Sequence, residues 1–213
     1  MSLRQPSLNF INLLASRKGP AKILLHPYNP SEWFRGAYTT VQRTKTGGTQ
    51  PSLRSRVSSL IFEYFPDLRV GAFDRQWDSL IRRVSKLGSF SAGQAQKICN
   101  ILLKYHLVYF FSGLDPAWNH KNSWVSSLLP KANIPIDSLV LFYGAVLYPE
   151  SFGSLVRVIP NARVRSLKDP KKHYVWSNLP APYIRNLQSI FRAIAKSKGI
   201  SPLELEMREL WRP

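Results

Sequence analysis

The chain has 213 residues, with 30 lysines and arginines against 12 acids, a formal charge of +18, 44% hydrophobic residues and one cysteine, Cys99. This hydrophobic content excludes wholesale disorder, and a lone cysteine excludes an intrachain disulfide and a cysteine-rich zinc site. The charge points to a polyanionic partner, nucleic acid ahead of an anionic membrane surface.

Residues 1–30 read as an N-terminal arm with one short helix in "LNFINLLASR", ahead of an α-helical body over 31–213. No long apolar run of a signal peptide opens the chain. Residues 35–56 contain a Gly-Gly pair and no acid, and read as a basic loop. Arg35, Arg43, Lys45, Arg54 and Arg56 are its candidate phosphate contacts; a solvated linker is the plain alternative.

Helical spacing follows in 51–65 through Leu53, Val57, Leu60, Ile61 and Tyr64. It recurs in 73–88 through Phe73, Trp77, Leu80, Ile81 and Val84, with Gly88 as the expected C′ residue and Arg75, Arg82, Arg83 and Lys86 off the stripe. The segment 91–111 opens on a Ser91/Gln94 capping box, is apolar nearly all round in its later turns, and predicts a central buried helix with Cys99 as a small core residue. Lys104 and His106 interrupt its apolar run 98–111, which is too short to span a bilayer.

A shorter helix is expected over 121–130. Residues 137–148 fit helix or strand, and their length favours helix. Val156, Val158 and Val164 give 154–176 a β character that allows a short hairpin, and the segment carries Arg157, Arg163, Arg165, Lys168, Lys171 and Lys172 as further phosphate contacts. A clean amphipathic helix spans 181–199 and stops at Gly199; then Ser201, Pro202 and Glu204 form a helix start. The fold class is mainly α: a compact multi-helix domain, in one or two lobes, with at most a short β-hairpin.

Asp137 is the acid that asks for a role. As an N-cap it is well placed, with Ile136 at N′ and Leu141 at N4 in the staple arrangement. A carboxylate at a helix N-terminus is also fixed in position, and in a cleft it can stabilise positive charge on a sugar or help activate water. Capping alone and capping with catalysis both remain open at this level.

The segment "IPIDSLVL" (134–141) resembles the Pro-Val-Asp-Thr-type segment of the helix-hairpin-helix DNA glycosylases, and "FSGLDPAWNHK" (111–121) falls where that family keeps its Leu-Pro-Gly-Val-Gly hairpin. The resemblance covers residues 91–148. It implies a helical fold, a hairpin on the DNA backbone, a flipped target base and Asp137 as the essential carboxylate. Trp118 is then the candidate wedge or stacking residue, a core tryptophan being the alternative. His120 is a candidate for proton transfer and Lys121 for a phosphate contact. The chain departs from the pattern at Asp115, in place of the second hairpin glycine, and at Ala117, where lyase-competent members carry lysine. A monofunctional enzyme follows.

Competing chemistries have less to stand on. Asp74 and Asp78 share a helix face, as the paired carboxylates of a metal nuclease do, but arginines surround them and an ion-paired face is the simpler reading. The four histidines show no metal spacing, and no P-loop or Gly-x-Ser-x-Gly elbow is present. The expectation is a cytoplasmic, monomeric base-excision hydrolase acting in DNA repair or against foreign DNA. It needs no metal or cofactor and prefers DNA to RNA. The alternative is a basic nucleic-acid-binding protein with no activity.

Overall fold

In the computed structural model, residues 4–15, 37, 51–156, 176–177 and 179–210 are described. The helical periodicities become α1 (Arg4–Ala15), α2 (Pro51–Tyr64), α3 (Phe73–Gly88), α4 (Ala92–Ser112), α5 (Pro116–Lys121), α6 (Trp124–Ser127), α7 (Ser138–Leu147), α8 (Pro149–Val156), α9 (Ala181–Ser197) and α10 (Pro202–Leu205). Short 3-10 turns lie at Phe65–Asp67, Val70–Ala72 and Leu129–Lys131, and a π turn at Glu206–Leu210 closes the described chain. Among the described residues there is no strand, and the mainly α class holds.

α4 is the central element. Its capping box forms as the sequence predicts, Ser91 Oγ accepting from the Gln94 amide and Gln94 returning to the Ser91 amide. The helix buries side chains on every face, including Ile98, Cys99, Leu102, Leu103 and Leu107. α1 and α3 pack against it, α2 packs on α3, α9 packs on α10, and α10 and α7 pack against the π turn. Burial pushes the Cys99 thiol far up, which makes it a packing group rather than a nucleophile.

Between α2, α3 and α4 the core is aromatic. Trp77 stacks on Phe73 at 5.1 Å and on Phe65 at 5.8 Å between ring centroids, and the buried ring of His106 meets Phe65 edge-on at 5.1 Å.

Four expectations change. Helix α2 begins at Pro51, so Arg54 and Arg56 stand on a helix rather than in the basic loop. The left-handed residue after α3 is Ser89 (φ 51°), not Gly88. Gly88 is needed for space, since a Cβ there would lie 2.0 Å from the ring of Phe90. The helix expected over 121–130 is divided into α5, α6 and a 3-10 turn. Of the hairpin expected at 154–176, residues 154–156 belong to α8 and 157–175 lie outside the described residues.

Candidate active site

The chain between the 3-10 turn and α7 runs extended, and its backbone groups would be orphaned in the core without partners. Side-chain amides supply them. Ile134 donates its N–H to Gln188 Oε1 (2.9 Å), and its carbonyl accepts from Gln188 Nε2 (2.7 Å) and Asn100 Nδ2 (3.0 Å). The carbonyl of Ile136 accepts from Gln96 Nε2 at 3.0 Å. Gln96 and Asn100 lie one turn apart on α4 and are bonded to each other at 2.7 Å, and Asn100 Oδ1 accepts from the Trp77 indole at 2.8 Å. Arg192 on α9 reaches the Lys131 carbonyl (3.0 Å) and Asn133 Oδ1 (2.7 Å). The segment leading to Asp137 is therefore gripped from α4 on one side and α9 on the other.

Asp137 ends that segment in an extended conformation (φ −138°, ψ −177°) and caps α7, as its position predicts. Oδ1 accepts from the amides of Leu139 and Val140, both at 3.0 Å. Oδ2 points the other way and meets Lys97 Nζ at 3.2 Å. The Lys97 side chain is 10% exposed and that of Asp137 23%, so the pair sits just below the surface with its carboxylate the more open member.

Trp176 completes the group. Lys97 Nζ lies over its ring, 4.4 Å from the centroid, in cation–π contact. The 176–177 backbone reaches this position because it rests on the first turn of α4. Ser91 Oγ donates to the Ser177 carbonyl, and a Cβ on Gly93 would come within 2.3 Å of the Trp176 carbonyl oxygen. Only glycine permits that approach.

Two turns along the same helix, Lys104 Nζ binds Glu206 Oε1 at 2.7 Å, with both side chains buried. Burial pushes the Glu206 carboxyl up, Lys104 pulls it down, and the charge of Asp137 pushes it further up. Burial, reinforced by Glu206, raises the neighbouring Tyr105 phenol to about 12. Two lysine–carboxylate pairs thus line one side of α4, the outer one partly open and the inner one closed.

Among the described residues, Asp137 is the one expected site residue that the structure builds into this cluster. Its polar partners among the described residues are Leu139, Val140 and Lys97. His120 and Lys121 are exposed at the end of α5 and touch neither Asp137 nor Lys97. Arg56 is exposed on α2. Arg35, Arg43, Lys45, Arg157, Arg163, Arg165, Lys168, Lys171 and Lys172 lie outside the described residues, as do the side chains of Arg54 and Trp118.

Sequence reading missed Lys97, Lys104, Trp176 and Glu206 as members of the site. The available signal was a pair of lysines seven residues apart in a helix apolar nearly all round, since buried lysines need carboxylates.

The paired acids of α3 are engaged elsewhere. Asp74 meets Arg192 at 2.7 Å and Asp78 meets Arg185 at 3.1 Å, along a cavity of about 200 Å³ between α3 and α9. Among the described residues no three His, Cys, Asp or Glu side chains converge as metal ligands, and no helix is long and apolar enough to cross a membrane. No family model, curated protein or solved structure matches the chain.

Proposed function

We propose that the protein is a monofunctional DNA glycosylase that hydrolyses the N-glycosidic bond of a flipped, damaged or modified base, with Asp137 as its essential group. The observation that carries this reading is the division of one carboxylate: Oδ1 is held by two helix amides, while Oδ2 faces a lysine at the edge of a partly open site. Cleaving an N-glycosidic bond builds positive charge on C1′ and the ring oxygen, and a carboxylate already fixed in place stabilises that charge without reorganising. Lys97 occupies the same face of Asp137 beforehand, so the cationic sugar competes with an ammonium for Oδ2. Trp176 offers an apolar wall beside it.

The resemblance of residues 134–141 to the glycosylase segment and the +18 charge support DNA as the substrate. Without an aromatic ribonucleoprotein-type strand motif, RNA has less support. A second reading also has an observation behind it. The Lys97–Asp137 pair ties α4 to the start of α7, which a non-enzymatic nucleic-acid-binding protein would use equally.

Incubation with duplexes carrying a broad panel of damaged and modified bases separates the two. The wild type is expected to leave abasic sites on at least one duplex, and Asp137→Asn to lose this activity while keeping DNA affinity. Absence of base release from the whole panel would leave the non-enzymatic reading.

A further inference from the structure

We infer that the solvent face of α3 is a docking ridge for the phosphate backbone of duplex DNA, formed by Arg75, Arg82 and Lys86. At 3.6 residues per turn these three fall within about 40° of one another around the helix and span about 16 Å along it. All three are exposed, as is Arg83 beside them. Arg83 leans on the ring of Tyr64 of α2 at 5.6 Å.

The acids of α3 are engaged by α9, although Asp78 stands one turn from both Arg75 and Arg82. Asp74 and Asp78 lie along its flank and are bound by Arg192 and Arg185 from α9. Among the described residues no carboxylate comes within ion-pair distance of Arg75, Arg82 or Lys86. Like charges one turn apart, as at Arg82 and Lys86, cost a helix some tenths of a kcal/mol each. Lys86, in the last turn of α3, offsets part of that cost through the helix dipole, and the arrangement leaves a row of cations without carboxylate partners on a rigid, well-packed element.

The face also selects its polyanion. A helix that lies on a membrane inserts large apolar side chains beside its basic ones. Here Phe73, Trp77, Leu80, Ile81 and Val84 all turn into the core, and Ser79 stands between the cations of the outer face. A duplex, with one phosphate charge per about 1.7 Å of axis, offers more anions over the length of the ridge than the ridge has cations. The inference shares DNA with the proposed function but is independent of chemistry at Asp137.

The test is duplex binding by fluorescence anisotropy between about 50 and 200 mM salt. The triple variant Arg75→Ala, Arg82→Ala, Lys86→Ala keeps a folded helix, because alanine is the best helix former and none of the three is buried. Its slope of log affinity against log salt is expected to be shallower by about 2.7, about 0.9 for each lost phosphate contact. The charge-conserving set Arg75→Lys, Arg82→Lys, Lys86→Arg is expected to keep the wild-type slope. An alanine variant with the wild-type slope, or a wild type that ignores duplex but binds phosphatidylserine vesicles, overturns the inference. Base release with an unchanged slope removes the ridge and leaves the proposed function. A changed slope with no base release does the reverse.

Discussion

Gln188 closes two hydrogen bonds on a single residue, Ile134, accepting from its N–H and donating to its carbonyl. This mimics one rung of a β-ladder in a region built from helices, and it sets the path of the chain three residues before Asp137. Gln188→Leu leaves the buried Ile134 N–H without a partner, while the carbonyl keeps Asn100. A loss of about 1–3 kcal/mol in urea unfolding is expected, with faster hydrogen exchange at the Ile134 amide. Exchange at the wild-type rate would mean that α4 alone fixes the segment.

The Lys97–Asp137 pair predicts a coupled pair of variants. Asparagine caps about as well as aspartate, so Asp137→Asn preserves the helix start but strips Lys97 of its counter-charge. The cost expected is about 1–3 kcal/mol, below that of a fully buried pair because Asp137 is partly open. Adding Lys97→Met removes the stranded ammonium and should recover at least half of that loss. Strict additivity in the double-mutant cycle would show that the two side chains do not interact.

A lysine amine beside a carboxylate is also the arrangement that forms Schiff bases with sugar aldehydes. With Ala117 of α5 standing where lyase-competent members of the resembled family carry lysine, the monofunctional reading expects no covalent adduct when the protein meets an abasic duplex and borohydride. An adduct that disappears in Lys97→Arg would assign a lyase step to Lys97.

Gly93 and Trp176 should act as one unit. Alanine at 93 improves helix propensity by about 1 kcal/mol, yet its Cβ collides with the Trp176 carbonyl. Gly93→Ala is expected to displace the 176–177 backbone and lower the denaturation midpoint. Trp176→Ala should lower it too, and the combined variant should fall by less than the sum. Independent, additive losses would show that Gly93 does not place Trp176.

His106 predicts an acid-sensitive core. Burial pulls its imidazole down to about 4, although its bond to the Leu102 carbonyl opposes this. The folded state holds the neutral ring, so this contribution is complete above the unfolded value near 6.5 and is lost as pH falls through about 4. A difference of up to about 3 kcal/mol is expected across that interval. In urea titrations, His106→Phe should flatten this part of the stability profile; an unchanged profile would place the acid sensitivity elsewhere.

Much of this architecture is local and could be read from the chain. The Ser91/Gln94 box, the Asp137 cap and the Ser201 start each depend on a side chain meeting an amide two or three residues away. The stripes of 73–88 and 181–199 depend on helical periodicity alone. The left-handed turn at Ser89 could not be read in this way, and Gly88 proves to serve the ring of Phe90, which fills the space above position 88.

The sequence by itself therefore determined the long helices, the Ser91, Asp137 and Ser201 caps and the position of one carboxylate at the start of α7. It also showed two lysines in a helix that had to be buried. Only the tertiary structure decided that Lys97 faces Asp137, that Lys104 faces Glu206, 102 residues away, and that the Trp176 ring lies against Lys97. The physical reason is distance along the chain. A cap is chosen by backbone geometry within one turn, whereas the counter-ion of a buried lysine is whichever carboxylate the packing of distant helices brings within reach.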